Sequence, residues 1–306
     1  MRANNSVEID LLQCARDIWS KRWWIGAGTV IVAIMSAAFL MSLPNVYRSE
    51  TSLQPIKEQS ELGGVQALAS QFGGLASLAG MNLQRDGDEA AMALAILSSR
   101  DFILNFIKEN RLEVELIASK GWDHQTRELL IDDNIYDAHV NEWKIEGDDG
   151  VTREPTDTEL YEAFKDIYSV KQSIETGLVS ISIESYSPAT SMNWLHGIIE
   201  KINSYMKGIA LQESEIKIEY LEKRIRDTSL ISVHSVFSQL IENELQKKML
   251  ADTRVQYIFK TIDPPFIPDE KIKPLRGLIL VLSTFASTIL FCFIALIDAA
   301  IRRAGS

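Results

Sequence analysis

The sequence predicts an α+β fold in which two terminal transmembrane helices flank an α/β base domain that carries a long protruding helix. Three observations predict it. Trp23 to Leu43 and Gly277 to Ile297 each run 21 residues without a charge. Leu178 to Tyr186 alternates between apolar and polar residues, as a half-buried strand does. Pro188 to Asp227 keeps a helical apolar spacing and holds no proline after Pro188.

Each apolar stretch has about the length a helix needs to cross roughly 30 Å of hydrocarbon. The first follows 22 residues of ordinary polar sequence and ends in LPN, which is the pattern of a retained span rather than a cleaved signal. Arg16, Lys21 and Arg22 precede it and only Arg48 shortly follows, so the positive-inside bias places the N-terminus in the cytoplasm. The chain then divides into a cytoplasmic tail at 1–22, a span at 23–43, an exported body at 44–276, a second span at 277–297 and a cytoplasmic tail at 298–306. Arg302 and Arg303 fit that end, although Lys271, Lys273 and Arg276 crowd the other flank of the second span. Trp19, Trp23 and Trp24 read as interfacial anchors. Thr29, Ala33 and Ala37 form a small-residue face, as do Ser283 and Ser287. Such faces allow close helix approach, between the two spans or toward another membrane protein, and small residues facing lipid are the plainer alternative.

Charge narrows the function. The chain has 31 Lys+Arg against 42 Asp+Glu, and its body alone has 25 against 38, a net −13 that argues against a nucleic-acid binder. Cys14 lies in the N-terminal tail and Cys292 in the second span, so no disulfide framework holds the body together. It must fold by packing.

Within the body, Tyr47 to Ile56 and Val255 to Asp263 read as strands that pair, with Val255, Tyr257 and Phe259 on one face. Leu178 to Tyr186 turns Val179, Ile181 and Ile183 inward and Ser180, Ser182 and Glu184 outward, and Val170 to Glu175 precedes it across a turn containing Gly177. Asp88 caps a helix through AAMALAIL, Ser99 or Asp101 caps the next through Phe102, Phe106 and Ile107, and Thr156 or Asp157 opens a third with Leu160, Phe164 and Ile167 as its apolar stripe. Asp148, Asp149 and Gly150 mark a turn. On the long helix, Leu195, Ile198, Ile202, Tyr205, Ile209, Ile216 and Tyr220 recur close to a 3.5-residue spacing, a seam suited to packing against other subunits. Glu213 with Lys217 and Glu219 with Lys223 support its exposed side. Thr228 to Ser235 reads as a break and membrane-distal tip, with Leu230, Ile231, Val233, His234, Val236 and Phe237 as its candidate contact residues, and Val236 to Asp252 returns as a helix.

These features resemble one family. Two terminal spans, an acidic exported body, Leu75 to Leu83 (LASLAGMNL), Ala93 to Phe102 (ALAILSSRDF) and above all Tyr257 to Ile279 (YIFKTIDPPFIPDEKIKPLRGLI) resemble the Wzz-type chain-length determinants, the class 1 polysaccharide co-polymerases. The most specific part is Pro264, Pro265, Pro268 and Pro274 followed by Arg276. The resemblance implies a bacterial inner-membrane protein with a periplasmic base, assembled as a ring-like homo-oligomer, commonly an octamer. It implies regulation of the number of repeats that a Wzy-type polymerase adds to an undecaprenyl-diphosphate-linked O-antigen of lipopolysaccharide, without glycosidic bond formation by the protein itself. Relatives serve enterobacterial common antigen, capsule or exopolysaccharide, and those alternatives stay open. Only nine residues follow the second span and no GxxxxGK[ST] loop occurs, so a fused kinase is not expected, and a sensor would lack an output module.

An enzyme would need a site. Asp86-Gly87-Asp88 imitates a metal-binding DxD, yet Asp88 is explained as a helix cap. His124, His139, His196 and His234 have no metal-ligand spacing, His196 reads as a surface or interface residue, and no nucleophile elbow occurs. Asp132 and Asp133 read as a solvated face or turn. No cofactor, metal or catalytic residue is expected, and a membrane-tethered periplasmic carbohydrate enzyme is the competing class. Because proline fixes φ, Pro264 to Pro274 is expected to be a stiff extended strap that sets the geometry between body and span, or else a spacer. Lys271, Lys273 and Arg276 would meet lipid headgroups or the diphosphate carrier at that level, ordinary interfacial anchoring being the alternative. Gly63, Gly64, Gly73, Gly74 and Gly80 give the segment after the first strand unusual freedom, as a mobile loop or a linker.

Overall fold

A computed structural model describes residues 19–56, 88–147, 150–227 and 231–304. Asp86, Gly87, the glycine-rich segment, LASLAGMNL, Cys14, Arg16 and Leu230 lie outside them. The chain separates into two compact units, residues 1–46 with 271–306 and residues 47–270.

The first unit is a helical hairpin. Helix α1 (Arg22–Ser42) and helix α8 (Arg276–Ala304) are both long and apolar enough to cross a membrane. A bent pair in the other unit, Glu89–Leu97 with Arg100–Glu109, has comparable composition. Its Phe102, Ile103, Phe106 and Ile107 are buried in that unit's own core and it carries Arg100, Asp101, Lys108 and Glu109, so it is a pair of core helices.

The second unit is built on an antiparallel sheet. Its strands β1 (Val46–Pro55), β8 (Tyr168–Gln172), β9 (Val179–Ser185) and β10 (Phe259–Asp263) take the spatial order β10-β1-β9-β8. The expected pairing of the first and last strands is present, and so is the hairpin closed by Gly177 at φ +69°. The register sets Leu53 against Val179, Thr51 against Ile181 and Ser49 against Ile183, so these facing positions of β1 and β9 are all buried. Helices α2 (Asp88–Leu97), α3 (Arg100–Glu109), α4 (Glu113–Ile117) and α5 (Asp157–Ile167), with the first half of α6 (Pro188–Asp227), supply the rest of the core. Phe164 stands at its centre, edge-on to Phe106 at 5.9 Å and stacked near Trp194 at 6.3 Å. Gly197 lets α3 approach α6, because a Cβ there would stand 3.2 Å from the Phe106 ring.

The helix starts follow from their caps. The Ser99 hydroxyl accepts from the Phe102 amide at 3.3 Å. Thr156 and Glu159 form a reciprocal capping box, and Arg153 donates to both Glu159 carboxylate oxygens at 2.7 Å. Asp88 is the first residue of α2.

Four expectations need correction. Val255 is 93% exposed and lies before β10, while Tyr257, Ile258 and Phe259 are buried in succession. The cause is Asn203 on α6, whose Oδ1 accepts from the Ile258 and Phe259 amides at 3.0 and 3.1 Å and draws that segment under the helix. Glu184, expected outward, is 8% exposed, because Arg48 opposite it in the register pairs with it at 2.5 Å. The break after α6 is shorter than expected, since α7 (Ile231–Thr253) already includes Val233 and His234. Finally, residues 119–153 hold hairpins of which the sequence announced only the turn at 148–150: β2 (Ser119–Asp123) with β3 (Glu128–Ile131), β4 (Tyr136–Asp137) with β5 (Glu142–Trp143), and β6 (Ile145–Glu146) with β7 (Thr152–Arg153). The last turns through Gly150 at φ +73°.

Candidate functional site

The proline-rich strap is fastened to the sheet. On the buried face of β1 the helices cover the Leu53 end, whereas Ser49 Oγ donates to the Phe266 carbonyl at 2.8 Å and Thr51 Oγ1 to the Asp263 carbonyl at 2.6 Å. Both hydroxyls are buried, which makes them strong constraints on the strap's path. Pro268 is buried, Pro265 half-buried and Pro264 exposed. Phe266 and Ile267 stay half exposed. Farther on, β11 (Lys271–Lys273) is followed by half-buried Pro274 and then Arg276, the first residue of α8.

In the hairpin unit Arg276 clips the two helices at one end. Its Nη2 donates to the Leu43 carbonyl and to Asn45 Oδ1, each at 3.1 Å, and Lys271 Nζ donates to the same Asn45 oxygen at 3.1 Å. At the opposite end Lys21 pairs with Asp298. Between these clips the small-residue face of α1, Thr29, Ala33 and Ala37, is half-buried, and Ser287 on α8 is buried. Gly28 explains the close approach: a Cβ there would meet the Phe291 ring at 2.7–3.0 Å. Ser283 and Ser287 turn back to the Leu280 and Thr284 carbonyls of their own helix. Trp19, Trp23 and Trp24 project from the hairpin, each at least 70% exposed.

The seven seam residues of α6 divide. Leu195, Ile198 and Ile202 are buried in this chain's own core, so no other subunit reaches them. Ile209 packs at the core's margin, while Tyr205, Ile216 and Tyr220 are exposed. The outer half of α6 instead meets α7, through Ser214 Oγ on Glu244 at 3.3 Å, Lys248 with Glu215 at 3.6 Å and Lys207 Nζ on the Asp252 carbonyl at 2.6 Å. Glu213 and Lys217 pair at 3.5 Å. Among the candidate tip residues, Val236 is exposed on α7.

Titratable groups carry structural roles. Arg153 and the Thr156 amide hold the Glu159 carboxyl down at about 2. A turn amide from Asn134 lowers Asp132, and Lys144 lowers Asp137. Burial pushes the Tyr168 hydroxyl up, and that hydroxyl has no partner among the described residues. His196 is an exposed residue 3.4 Å from Glu200. The His124 ring stands edge-on to Tyr47. Among the described residues no group of three His, Cys, Asp or Glu is placed to hold a metal ion.

Residues 7–110, about a third of the chain, match the model of the Wzz family, chain length determinant protein. The chain is similar to Wzz-type chain length determinants. The matched stretch takes in α1, β1, α2 and the whole of α3, including ALAILSSRDF. No curated protein matches the chain. Among solved structures, a full-length bacterial polysaccharide co-polymerase is 10% identical, with 96% of this chain and 98% of that one covered at a TM-score of 0.42. A fragment of WzzB, a polysaccharide co-polymerase from Salmonella Typhimurium, is 12% identical, with 75% of this chain and 100% of that one covered at a TM-score of 0.34.

Proposed function

We propose that this protein is a non-catalytic polysaccharide co-polymerase that sets the modal chain length of the O-antigen made by a Wzy-type polymerase. It works in the bacterial inner membrane as a homo-oligomer, an octamer by resemblance, with residues 44–276 in the periplasm and the tails 1–22 and 298–306 in the cytoplasm. The observation that carries this reading is the chain length determinant match over 7–110, on a chain whose first and last described helices are both apolar enough to span.

The geometry supports a mechanical role. Arg276 and Asn45 clip the helix ends together, and Ser49 and Thr51 fix the strap's path. Exposed Ile216 and Tyr220 offer apolar surface that neighbouring copies would cover. Lys271 and Arg276 lie at the level where lipid headgroups and an undecaprenyl-diphosphate-linked glycan would be met.

Gel analysis of surface polysaccharide, with and without the protein, tests the proposal. Removal is expected to turn a preferred length band into a smooth distribution. Complete loss of polymer would instead point to an essential enzyme and refute the reading.

A further inference from the structure

The motif ALAILSSRDF folds into one wall of a groove between α3 and α6. Ile96, Ser99, Asp101 and Phe102 come from this motif, Asn105 and Glu109 continue α3, and Lys201, Ser204 and Tyr205 face them from α6 around a cavity of 340 Å³.

Helical spacing makes this a trough with two polar rims. Asp101, Asn105 and Glu109 lie at successive i, i+4 positions and share one face of α3, over about 12 Å of helix. Asn105 Nδ2 donates to Asp101 Oδ2 at 3.2 Å, which orients both groups and leaves the remaining amide hydrogen, the amide oxygen and carboxylate lone pairs for a ligand. Across the trough Lys201 and Tyr205 are likewise i, i+4 neighbours on α6. Lys201 Nζ reaches Glu109 Oε2 at 2.5 Å and stands 5.8 Å from the centre of the Phe102 ring. Tyr205 sets its ring edge-on to Phe102 at 6.2 Å and remains 46% exposed, so an aromatic surface with a phenol tip closes one side.

Such a surface suits a polyhydroxylated ring. A sugar presents adjacent hydroxyls, which pair with planar carboxylates, amides and ammonium groups, and a C–H face, which packs on an aromatic ring. The charges of Asp101, Glu109 and Lys201 sum to −1, which disfavours polyanionic glycans.

We infer that the groove between α3 and α6 is a binding subsite for a short uncharged glycan segment, with Asp101, Asn105 and Lys201 as hydroxyl partners and Tyr205 as the stacking surface. This rests on the co-polymerase reading and gives it a glycan contact on the body.

The test uses the full-length protein in detergent, titrated with chitotetraose and with a neutral dextran oligosaccharide, and with oligogalacturonate as the polyanionic probe. Binding is read by saturation-transfer NMR and calorimetry. At least one neutral probe is expected to bind and oligogalacturonate to bind at least fivefold more weakly. Tyr205→Ala and Asn105→Ala should weaken the neutral probe at least fivefold, and Ser204→Arg, which fills the groove from an exposed helical position, should abolish the signal. No neutral binding at millimolar probe, equal binding of the polyanion, or full binding by all three variants would each overturn the proposal. The polysaccharide gel separates the two claims. If removal of the protein leaves chain length unchanged, the co-polymerase reading fails. If removal changes it while the three variants bind and regulate as the parent does, the groove alone fails.

Discussion

Asn203 is the most exposed to experiment of the core's polar contacts, because one side chain joins α6 to the segment entering β10. It is 3% exposed, accepts from two buried amides and donates through Nδ2 to the Ile199 carbonyl at 2.9 Å. Asn203→Leu keeps the volume near its original value and removes all three bonds. The Ile258 and Phe259 amides then lose their acceptor, at about 1–3 kcal/mol for each buried group left unsatisfied, or ~2–6 kcal/mol together. In a domain of this size 1 kcal/mol moves the midpoint by about 2–4 °C, so the thermal midpoint followed by circular dichroism in detergent should fall by about 4–24 °C. Glu200→Ala, an exposed change one turn away, should stay within about 0.5 kcal/mol. A midpoint for Asn203→Leu within 2 °C of the parent (~0.5–1 kcal/mol) would refute the role given to these bonds.

Other outcomes follow from the same geometry. Gly28→Val should lower the stability of the helical hairpin by about 1–3 kcal/mol through overpacking on Phe291, and Phe291→Ala in the same chain should restore part of that loss in a double-mutant cycle. Ser49→Ala with Thr51→Val should free the strap at about 1 kcal/mol per lost hydrogen bond, speed tryptic cleavage after Lys271, and broaden the polysaccharide length distribution. Glu159 is held below its usual range, so its contribution is present above about pH 4.5 and is lost as the pH falls toward 2. Because both Arg153 and Glu159 are partly exposed, that contribution is under about 1 kcal/mol, and Glu159→Gln should flatten the acid limb of a stability-versus-pH curve by that amount.

The parts of the fold that were legible are those written locally. Ser99 and Thr156 announce helix starts through their own side chains, Val179, Ile181 and Ile183 announce a buried strand by alternation, and the charge-free stretches announce the apolar helices. What escaped depends on partners distant in sequence. Asn203 acts 55 residues away on Ile258, and Arg48 covers Glu184 from 136 residues away. Strands of two residues, such as β4 to β7, are too short to carry any period. Along α6 the sequence could not separate core from surface, because both share one spacing: Leu195 and Ile198 are buried in the core while Tyr205 and Ile216 stay exposed. The groove residues Asp101, Asn105 and Lys201 gave no warning singly, since each is an ordinary surface residue until α3 and α6 are set side by side.

The way α6 changes company along its length has an evolutionary consequence. Its buried positions run from Ser191 to Met206 and then, apart from Ser214, give way to contacts with α7. Beyond the sheet, matched turns can therefore be added to or trimmed from the two helices together, as a mast is extended in sections, while the foundation keeps its residues. Reach becomes a quantity that selection tunes by insertion and deletion rather than by redesign.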